Sequence, residues 1–241
     1  FGGPQRRQMQ NLVDTINSQF QLSIDHYMTI GCNDISNVVD ALGGLPCYVP
    51  QSVNAPGHYG YDPRKPTIKK GQHTLTGKEA EWLVRDRHSY AEADIGRQKM
   101  QRVFLAAMVN RAKTIGISDC LKLLPEIWGN FKTDYTIDEI KELAKSAINI
   151  PNENIKSFMV PGESATIYEP SPGAWDYDHY SIYSIHKRET AELLNQYFRP
   201  AGTAIPVESL GITEVVTEGN YQVDSDTIGQ SFAEIDSQAT G

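Results

Sequence analysis

Arginine, acid and amide side chains recur at short spacing between residues 85 and 101. Arg85 and Arg87 are two residues apart, so in an extended segment both point to one side while the residue between them turns away. Asp94, Arg97 and Gln101 fall within about 60° of one another along one edge of a helix that begins near Asp94. Arginine binds phosphate bidentately and keeps its charge, so this set predicts a polyanion site. A solvated, salt-bridged surface helix is the competing interpretation.

The charge distribution supports a local anion site. The chain has 241 residues and a net charge of -8. Residues 61–102 contain ten Lys and Arg against six acids, so this window carries +4 and the remainder -12. The acidic balance argues against a general nucleic-acid binder, and no DNA-binding motif is recognisable.

Two predicted helices position these residues. Thr76 and Glu79 form a capping-box signature, so a short helix should begin at Gly77. Its core-facing residues should be Ala80, Trp82, Leu83 and Val84. The helix from Asp94 should bury Met100, Phe104 and Ala107. The loop over residues 50–71 should bring Lys69 and Lys70 near the same segment, although a solvated surface loop is the alternative.

The preceding elements predict an α/β domain. Pro4 to Phe20 has helical periodicity, and residues 26–30, 34–42 and 45–49 alternate strand, helix and strand. A short crossover of this kind implies parallel strands in one sheet. We therefore expect a central, mostly parallel β-sheet flanked by helices, an α/β/α sandwich.

The later elements continue this pattern as far as Pro200. Ser118 should cap a helix that runs through Leu124, and Thr136 with Glu139 should cap another. Residues 155–160 and 180–185 alternate like strands, and residues 189–198 have helical periodicity. Residues 201–241 contain no Lys or Arg and seven acids, which predicts an acidic extension.

Other chemistries have little support. The six histidines are scattered, and no G-x-S-x-G or G-x-x-x-x-G-K-[ST] motif is present. Cys32, Cys47 and Cys120 lack zinc spacing; buried free thiols are favoured, with a Cys32–Cys47 bridge left open. No apolar run of 18 residues and no signal peptide occur in the sequence.

Three motifs resemble the LytR-CpsA-Psr family of bacterial cell envelopes, also called the cell envelope-related transcriptional attenuator domain. They are IDHYMTIGCNDISNVVDALGGLPCYVP (residues 24–50), GQHTLTGKEAEWLVRDR (71–87) and ADIGRQKMQR (93–102). Their order and spacing match the family, and the resemblance covers residues 1–200, the C-terminal two-thirds of the family domain.

The resemblance implies a phosphotransferase that moves a glycopolymer, such as teichoic acid or capsule, from a polyprenyl pyrophosphate to peptidoglycan. The family's pyrophosphate-binding residues fall on Arg85, Arg87, Arg97 and Gln101, and its catalytic residues on Asp94 and Arg97. Such chemistry depends on positive charge placed on the phosphate oxygens. A non-catalytic or regulatory domain that binds polyprenyl phosphate is the alternative.

The resemblance also implies Mg²⁺, whose carboxylate ligands belong to a family segment expected upstream of Phe1. A membrane-spanning helix is expected there too, which would place the parent protein outside the cytoplasm and anchored to the membrane. No metal ligand is therefore assigned within this sequence. We expect the 241-residue chain alone to bind the lipid without transferring the polymer.

Overall fold

The computed structural model describes residues 4–54, 67–90, 94–170, 177–213 and 229–238, which form two compact units. Unit 1 comprises Phe1–Tyr27 and Phe158–Gly229, and unit 2 comprises Met28–Ser157 and Gln230–Gly241. The α-helices of the described residues are α1 (Pro4–Phe20), α2 (Cys32–Ala41), α3 (Gly77–Arg85), α4 (Asp94–Ile115), α5 (Ile117–Ile127), α6 (Ile137–Ala147), α7 (Lys187–Tyr197) and α8 (Phe232–Gln238). The strands are β1 (Met28–Ile30), β2 (Leu45–Val49), β3 (Gly71–Leu75), β4 (Phe131–Thr133), β5 (Lys156–Ser157), β6 (Gly162–Pro170), β7 (Tyr177–Ile185) and β8 (Gln230–Ser231).

The mixture of helices and strands confirms the predicted α/β class, but the predicted sheet arrangement is wrong for the described strands. These strands form four two-stranded sheets, β1-β4, β2-β3, β5-β8 and β6-β7, and each pair is antiparallel. The strands before and after α2 do not pair with each other. A strand, helix, strand connection implies parallel strands only when both strands belong to one sheet. Here β2 pairs with β3, the next strand in sequence, and not with β1.

Unit 2 has a core built where α3 and α4 meet the β2-β3 hairpin. Its fully buried side chains are Val39, Leu45, Val49, Val53, Leu75, Ala80 and Leu83. Inward positions alternate along β2, where Leu45, Cys47 and Val49 are buried. An isolated bridge between Val53 and Ile68 joins the two ends of the long loop, whose residues 55–66 lie outside the described part.

Part of the predicted acidic extension folds into unit 2. Strand β8 pairs with β5, and Phe232 and Ile235 of α8 pack against Ala106 of α4. Arg102, which is 8% exposed, donates hydrogen bonds to Ser157 and to Gln230. The short helix α8 completes this buried apolar cluster, so residues 230–238 pack in unit 2.

Unit 1 contains α1, the β6-β7 hairpin and α7. The prediction of α1 is confirmed at both ends. The strand predicted over residues 155–160 is limited to β5, Lys156–Ser157, which belongs to unit 2. Strand β6 was not predicted, and it pairs along its whole length with β7. Leu193, Leu194 and Leu210 form the buried cluster of this unit.

The three cysteines are free, with Cys47 buried, Cys120 half-buried and Cys32 exposed at the start of α2. The prediction of a buried thiol is confirmed for Cys47 only. Burial raises the pKa of the Cys47 thiol to about 12, and the nearby Asp236 carboxylate adds to the shift.

Candidate functional site

Helix α3 carries the first predicted phosphate-binding residue at its last position. The Thr76 hydroxyl accepts a hydrogen bond from the Glu79 backbone N–H, and the Glu79 carboxylate accepts one from the Thr76 N–H at 2.8 Å, so the predicted capping box is confirmed. A β-carbon at Gly77 would lie 2.1 Å from the Ser36 carbonyl oxygen of α2, so only glycine allows this close approach. The start of α3 is thereby fixed against α2.

The two arginines at the end of α3 are both exposed, and the residue between them is buried. Helix α3 runs through Arg85, so the expected extended conformation at Arg85 is wrong; the chain becomes extended only at Asp86. Asp86 is 4% exposed, and its carboxylate accepts the backbone N–H groups of His88 at 3.2 Å and Ser89 at 3.3 Å. This buried carboxylate fixes the turn that carries Arg87.

Arg85 is held by an acid to which the sequence analysis assigned no role. Glu81 is 3% exposed, and its Oε1 atom accepts a hydrogen bond from Arg85 Nη1 at 2.6 Å. Its Oε2 atom accepts one from Lys78 Nζ at 2.7 Å. These hydrogen bonds lower the pKa of Glu81, with the bond from Lys78 the largest cause and burial opposing it. The spacing of Glu81 and Arg85, four residues apart on a helix, is the signal that could have revealed this pair.

Helix α4 begins at Asp94 as predicted and supplies the other predicted residues. Met100, Phe104 and Ala107 are buried, which confirms the predicted inner face. Arg97 is half-buried, one turn from the start of the helix. The side chain of Asp94 lies outside the described residues, so its catalytic role remains a prediction.

Helix α4 packs on α3 and on the segment after it. Gln101 Nε2 donates a hydrogen bond to the Val84 carbonyl oxygen at 3.1 Å, which joins the two helices one residue before Arg85. A β-carbon at Gly96 would lie 2.3 Å from Tyr90 Cβ, so the segment carrying Arg87 lies directly on the first turn of α4. Gln101 was predicted to bind pyrophosphate, but in this structure it also joins the helices.

Buried polar groups lie beside this junction. Ser89 Oγ and the Tyr90 hydroxyl are buried, with no hydrogen-bond acceptor or donor for either among the described residues. Burial raises the pKa of the Tyr90 phenol, and Asp86 adds to the effect. Tyr90 therefore stays protonated and remains a hydrogen-bond donor at neutral pH.

Lys69 and Lys70 lie at the C-terminal end of the long loop, just before β3. Both residues are exposed, and the Lys70 N–H donates a hydrogen bond to Ser52 Oγ at 2.9 Å. The central part of the loop, residues 55–66, is not described, so the expected approach of these lysines to the arginines stays a prediction.

Carboxylates suited to a metal do not cluster in the described part of the chain. No group of three or more His, Cys, Asp or Glu side chains there could hold a metal ion. Glu81 and Asp86 are the buried acids nearest the arginines in sequence, and both accept hydrogen bonds from protein groups. None of the described residues is therefore assigned as a magnesium ligand, and the magnesium expected from the family resemblance stays a prediction.

A helix that spans a bilayer is about 20 predominantly apolar residues long. Among the described helices, none is both long enough and apolar enough to cross a membrane.

The structure places the predicted phosphate-binding residues on α3, on the segment Asp86–Tyr90 that follows it, and on α4, all within unit 2. Arg85 and Arg87 are exposed at one end of α3, and Arg97 and Gln101 lie on the helix packed against it. Arginine side chains suit phosphate oxygens, because their planar forks donate two hydrogen bonds at once, and of these three arginines Arg85 is anchored to a buried carboxylate.

The chain belongs to the LytR_cpsA_psr family, whose model matches residues 1–199. A protein of Oceanobacillus iheyensis named polyisoprenyl-teichoic acid--peptidoglycan teichoic acid transferase TagU is 29% identical over 166 residues, which are 68% of this chain and 48% of that protein. The chain thus spans about half the length of the curated relatives that it matches.

Solved structures show the same fold. A Streptococcus agalactiae protein has a TM-score of 0.59 at 23% identity, over 84% of this chain and 63% of its own. Bacillus subtilis TagV has a TM-score of 0.54 at 23% identity, over 70% of this chain and 61% of its own.

Proposed function

We propose that this chain binds the pyrophosphate of a polyprenyl-linked glycopolymer and forms part of a protein that transfers the polymer to peptidoglycan at the cell envelope. The observation that supports the proposal best is the pair of exposed arginines: Arg85 is hydrogen-bonded to the buried Glu81, and Arg87 lies in a turn fixed by the buried Asp86. Family membership and the name of the Oceanobacillus iheyensis relative support the substrate class.

The proposed chemistry is a phosphoryl transfer. An acceptor hydroxyl on peptidoglycan attacks the phosphorus attached to the glycopolymer and forms a new P–O bond. The bond to the bridging oxygen breaks, and the lipid leaves as a monophosphate that carries the additional negative charge. The hydroxyl proton passes to a base, for which Asp94 is the candidate.

Each arginine has a defined task in this proposal. Arg85 and Arg87 neutralise the phosphate oxygens from the end of α3, and Arg97 does so from α4. Donors fixed in advance stabilise the charge that develops in the transition state without reorganising. Gln101 supports them by joining α4 to the backbone at Val84. No step is assigned to magnesium.

Calorimetry with geranyl pyrophosphate, a short soluble polyprenyl analogue, tests the binding part of this proposal. Arg85→Ala, Arg87→Ala and Arg97→Ala should each weaken binding by about 1.5–3 kcal/mol, the contribution of a charge-assisted hydrogen bond. Arg→Lys at these positions should also weaken binding, since a point charge does not replace the fork. Lys145→Ala on α6 is the control and should bind like wild type. Wild-type affinity in all three alanine variants would refute the site.

Transfer is tested in the whole protein with labelled lipid-linked polymer and a peptidoglycan acceptor. If Asp94 is the base, Asp94→Asn should lower turnover more than it lowers lipid binding. A protein that binds the lipid and never transfers the polymer would instead support the non-catalytic alternative.

A further inference from the structure

Glu81 is a buried carboxylate in the middle of α3. It lies between Ala80 and Leu83, which are both 0% exposed, and is itself 3% exposed. Removing a carboxylate from water is costly unless hydrogen bonds and opposite charges compensate. An apolar residue could also fill this position on the inner side of the helix. The role of the charge must therefore be inferred from the contacts of the carboxylate.

The two carboxylate oxygens of Glu81 have different partners. Oε1 binds Arg85 Nη1 at 2.6 Å, one helical turn ahead. Oε2 binds Lys78 Nζ at 2.7 Å and lies 3.3 Å from Ser36 Oγ of α2. Ser36 Oγ has one proton and lies closer to the Gly77 carbonyl oxygen, at 3.0 Å, so Lys78 and Arg85 are the main partners of the carboxylate.

Arg85 extends from this buried anchor to the surface. Its side chain is 43% exposed, whereas that of Glu81 is 4% exposed. Only the Nη1 amino group of Arg85 is bonded to Glu81, whereas the whole guanidinium has five N–H donors. The anchored arginine therefore retains donors for a ligand at the surface.

We infer that Glu81 is a positioning residue for phosphate binding, which it promotes by fixing the Arg85 guanidinium before the ligand arrives. This inference rests on the proposed function. An arginine that is already ordered loses less conformational freedom on binding, and ordering one long side chain changes affinity by about 3- to 10-fold.

A competing effect has the opposite sign. Loss of the Glu81 charge would leave Lys78 and Arg85 without their counter-charge and would strengthen their attraction for an anion. Lys78 is 62% exposed, so this attraction is screened at an ionic strength of about 0.15 M. At this ionic strength, the loss of order in Arg85 should outweigh the stronger attraction, so removal of the Glu81 charge should weaken anion binding.

The test measures geranyl pyrophosphate binding to the full chain at about 0.15 M salt. Glu81→Met keeps an unbranched side chain of similar reach and removes the charge. It should weaken binding by about 3- to 10-fold, and it should have no further effect when Arg85 is already alanine. Glu142→Met removes an exposed glutamate that pairs with Lys145 at 2.6 Å and should leave binding unchanged.

The outcomes separate this inference from the proposed function. If Arg85→Ala binds like wild type, the proposed role of Arg85 in the phosphate site fails. If Arg85→Ala is weaker but Glu81→Met binds like wild type, or if their effects add, the positioning role alone is refuted.

A measurement on the unmutated chain covers the case in which Glu81→Met does not fold. In ¹⁵N spectra of arginine-labelled protein, the bond to Glu81 should hinder rotation of the Arg85 guanidinium and give separate Nη resonances. Arg85→Lys assigns these resonances by their loss. A single averaged Nη resonance for Arg85 would overturn the inference.

Discussion

Replacing Gly96 by alanine tests whether the segment carrying Arg87 must lie directly on α4. The added β-carbon would lie 2.3 Å from Tyr90 Cβ and 2.6 Å from Tyr90 Cγ. Non-bonded carbons rest about 3.5–4.0 Å apart, so the two backbones must separate by about 1.2–1.7 Å. Rotation of the tyrosine ring cannot relieve the contact, because Cβ is attached to the backbone.

Two effects on stability oppose each other in this variant. Overpacking a well-packed contact costs about 1–3 kcal/mol, whereas exchanging glycine for alanine inside a helix gains at most about 1 kcal/mol. With the full gain subtracted, the free energy of unfolding should therefore fall by up to about 2 kcal/mol. Moving Arg87 away from Arg97 should also weaken geranyl pyrophosphate binding by about tenfold, since fixed donors lose strength steeply with distance.

Denaturant unfolding and calorimetry on the same preparations measure both effects. Gly129→Ala is the matched control, because a β-carbon there would meet nothing within 4 Å. It should change neither stability nor affinity appreciably. If Gly96→Ala were as stable as wild type and bound the ligand equally well, the packing of Tyr90 on α4 would not position the site.

Two further predictions follow from buried ionisable groups. Hydrogen bonds from Lys78 and Arg85 hold the folded-state pKa of Glu81 below the usual value of a glutamate. The contribution of Glu81 to stability is therefore complete above that usual value and is lost as the pH falls through the folded-state pKa. Unfolding free energies measured from neutral to acidic pH should therefore fall less steeply in Glu81→Gln than in wild type; parallel curves would contradict the assignment. The Cys47 thiol, buried with a pKa of about 12, should react with a thiol reagent at pH about 8 far more slowly than the exposed Cys32. The fast phase of the reaction with the thiol reagent should come from Cys32 and be lost in Cys32→Ser. A fast phase that persists in this variant would contradict the predicted order.

Helix starts and helix faces were predictable because their signals are local. The Thr76 and Thr136 capping boxes form as their sequences indicate, since donor and acceptor are three residues apart. The helix from Asp94 buries the residues that its periodicity indicates. The cap predicted at Ser118 is wrong: α5 begins at Ile117 after Gly116, with no side-chain cap. A serine near a helix start does not act as the cap when the preceding backbone has already turned, here at a φ of 86° in Gly116.

Strand pairing was not predictable, because it depends on residues far apart in sequence. β1 takes β4 as its partner, about a hundred residues later, and Met28 lies opposite Thr133. Nothing in the strand, helix, strand pattern of residues 26–49 specifies that partner. The helix α8 is a different case: Ser231 and Glu234 form a reciprocal pair of hydrogen bonds at its start, but the acidic composition around them obscures that local signal.

The arginines of the candidate site form a visible cluster in the sequence, whereas the burial of the acids beside them could not be predicted. Arg85, Arg87 and Arg97 stand out because arginine spacing alone suggests phosphate. Glu81 and Asp86 resemble ordinary helix-surface acids in the sequence, and their burial follows from the packing of α3 on α2 and α4.

A crystal structure of the chain with bound geranyl pyrophosphate tests the central claim most directly. Phosphate oxygens should lie about 2.7–2.9 Å from the guanidinium groups of Arg85, Arg87 and Arg97, the usual length of a charge-assisted bond. Glu81 should remain bonded to Arg85 in that complex. A pyrophosphate bound elsewhere, for example at Lys141 and Lys145 on α6, with the three arginines unoccupied, would contradict it.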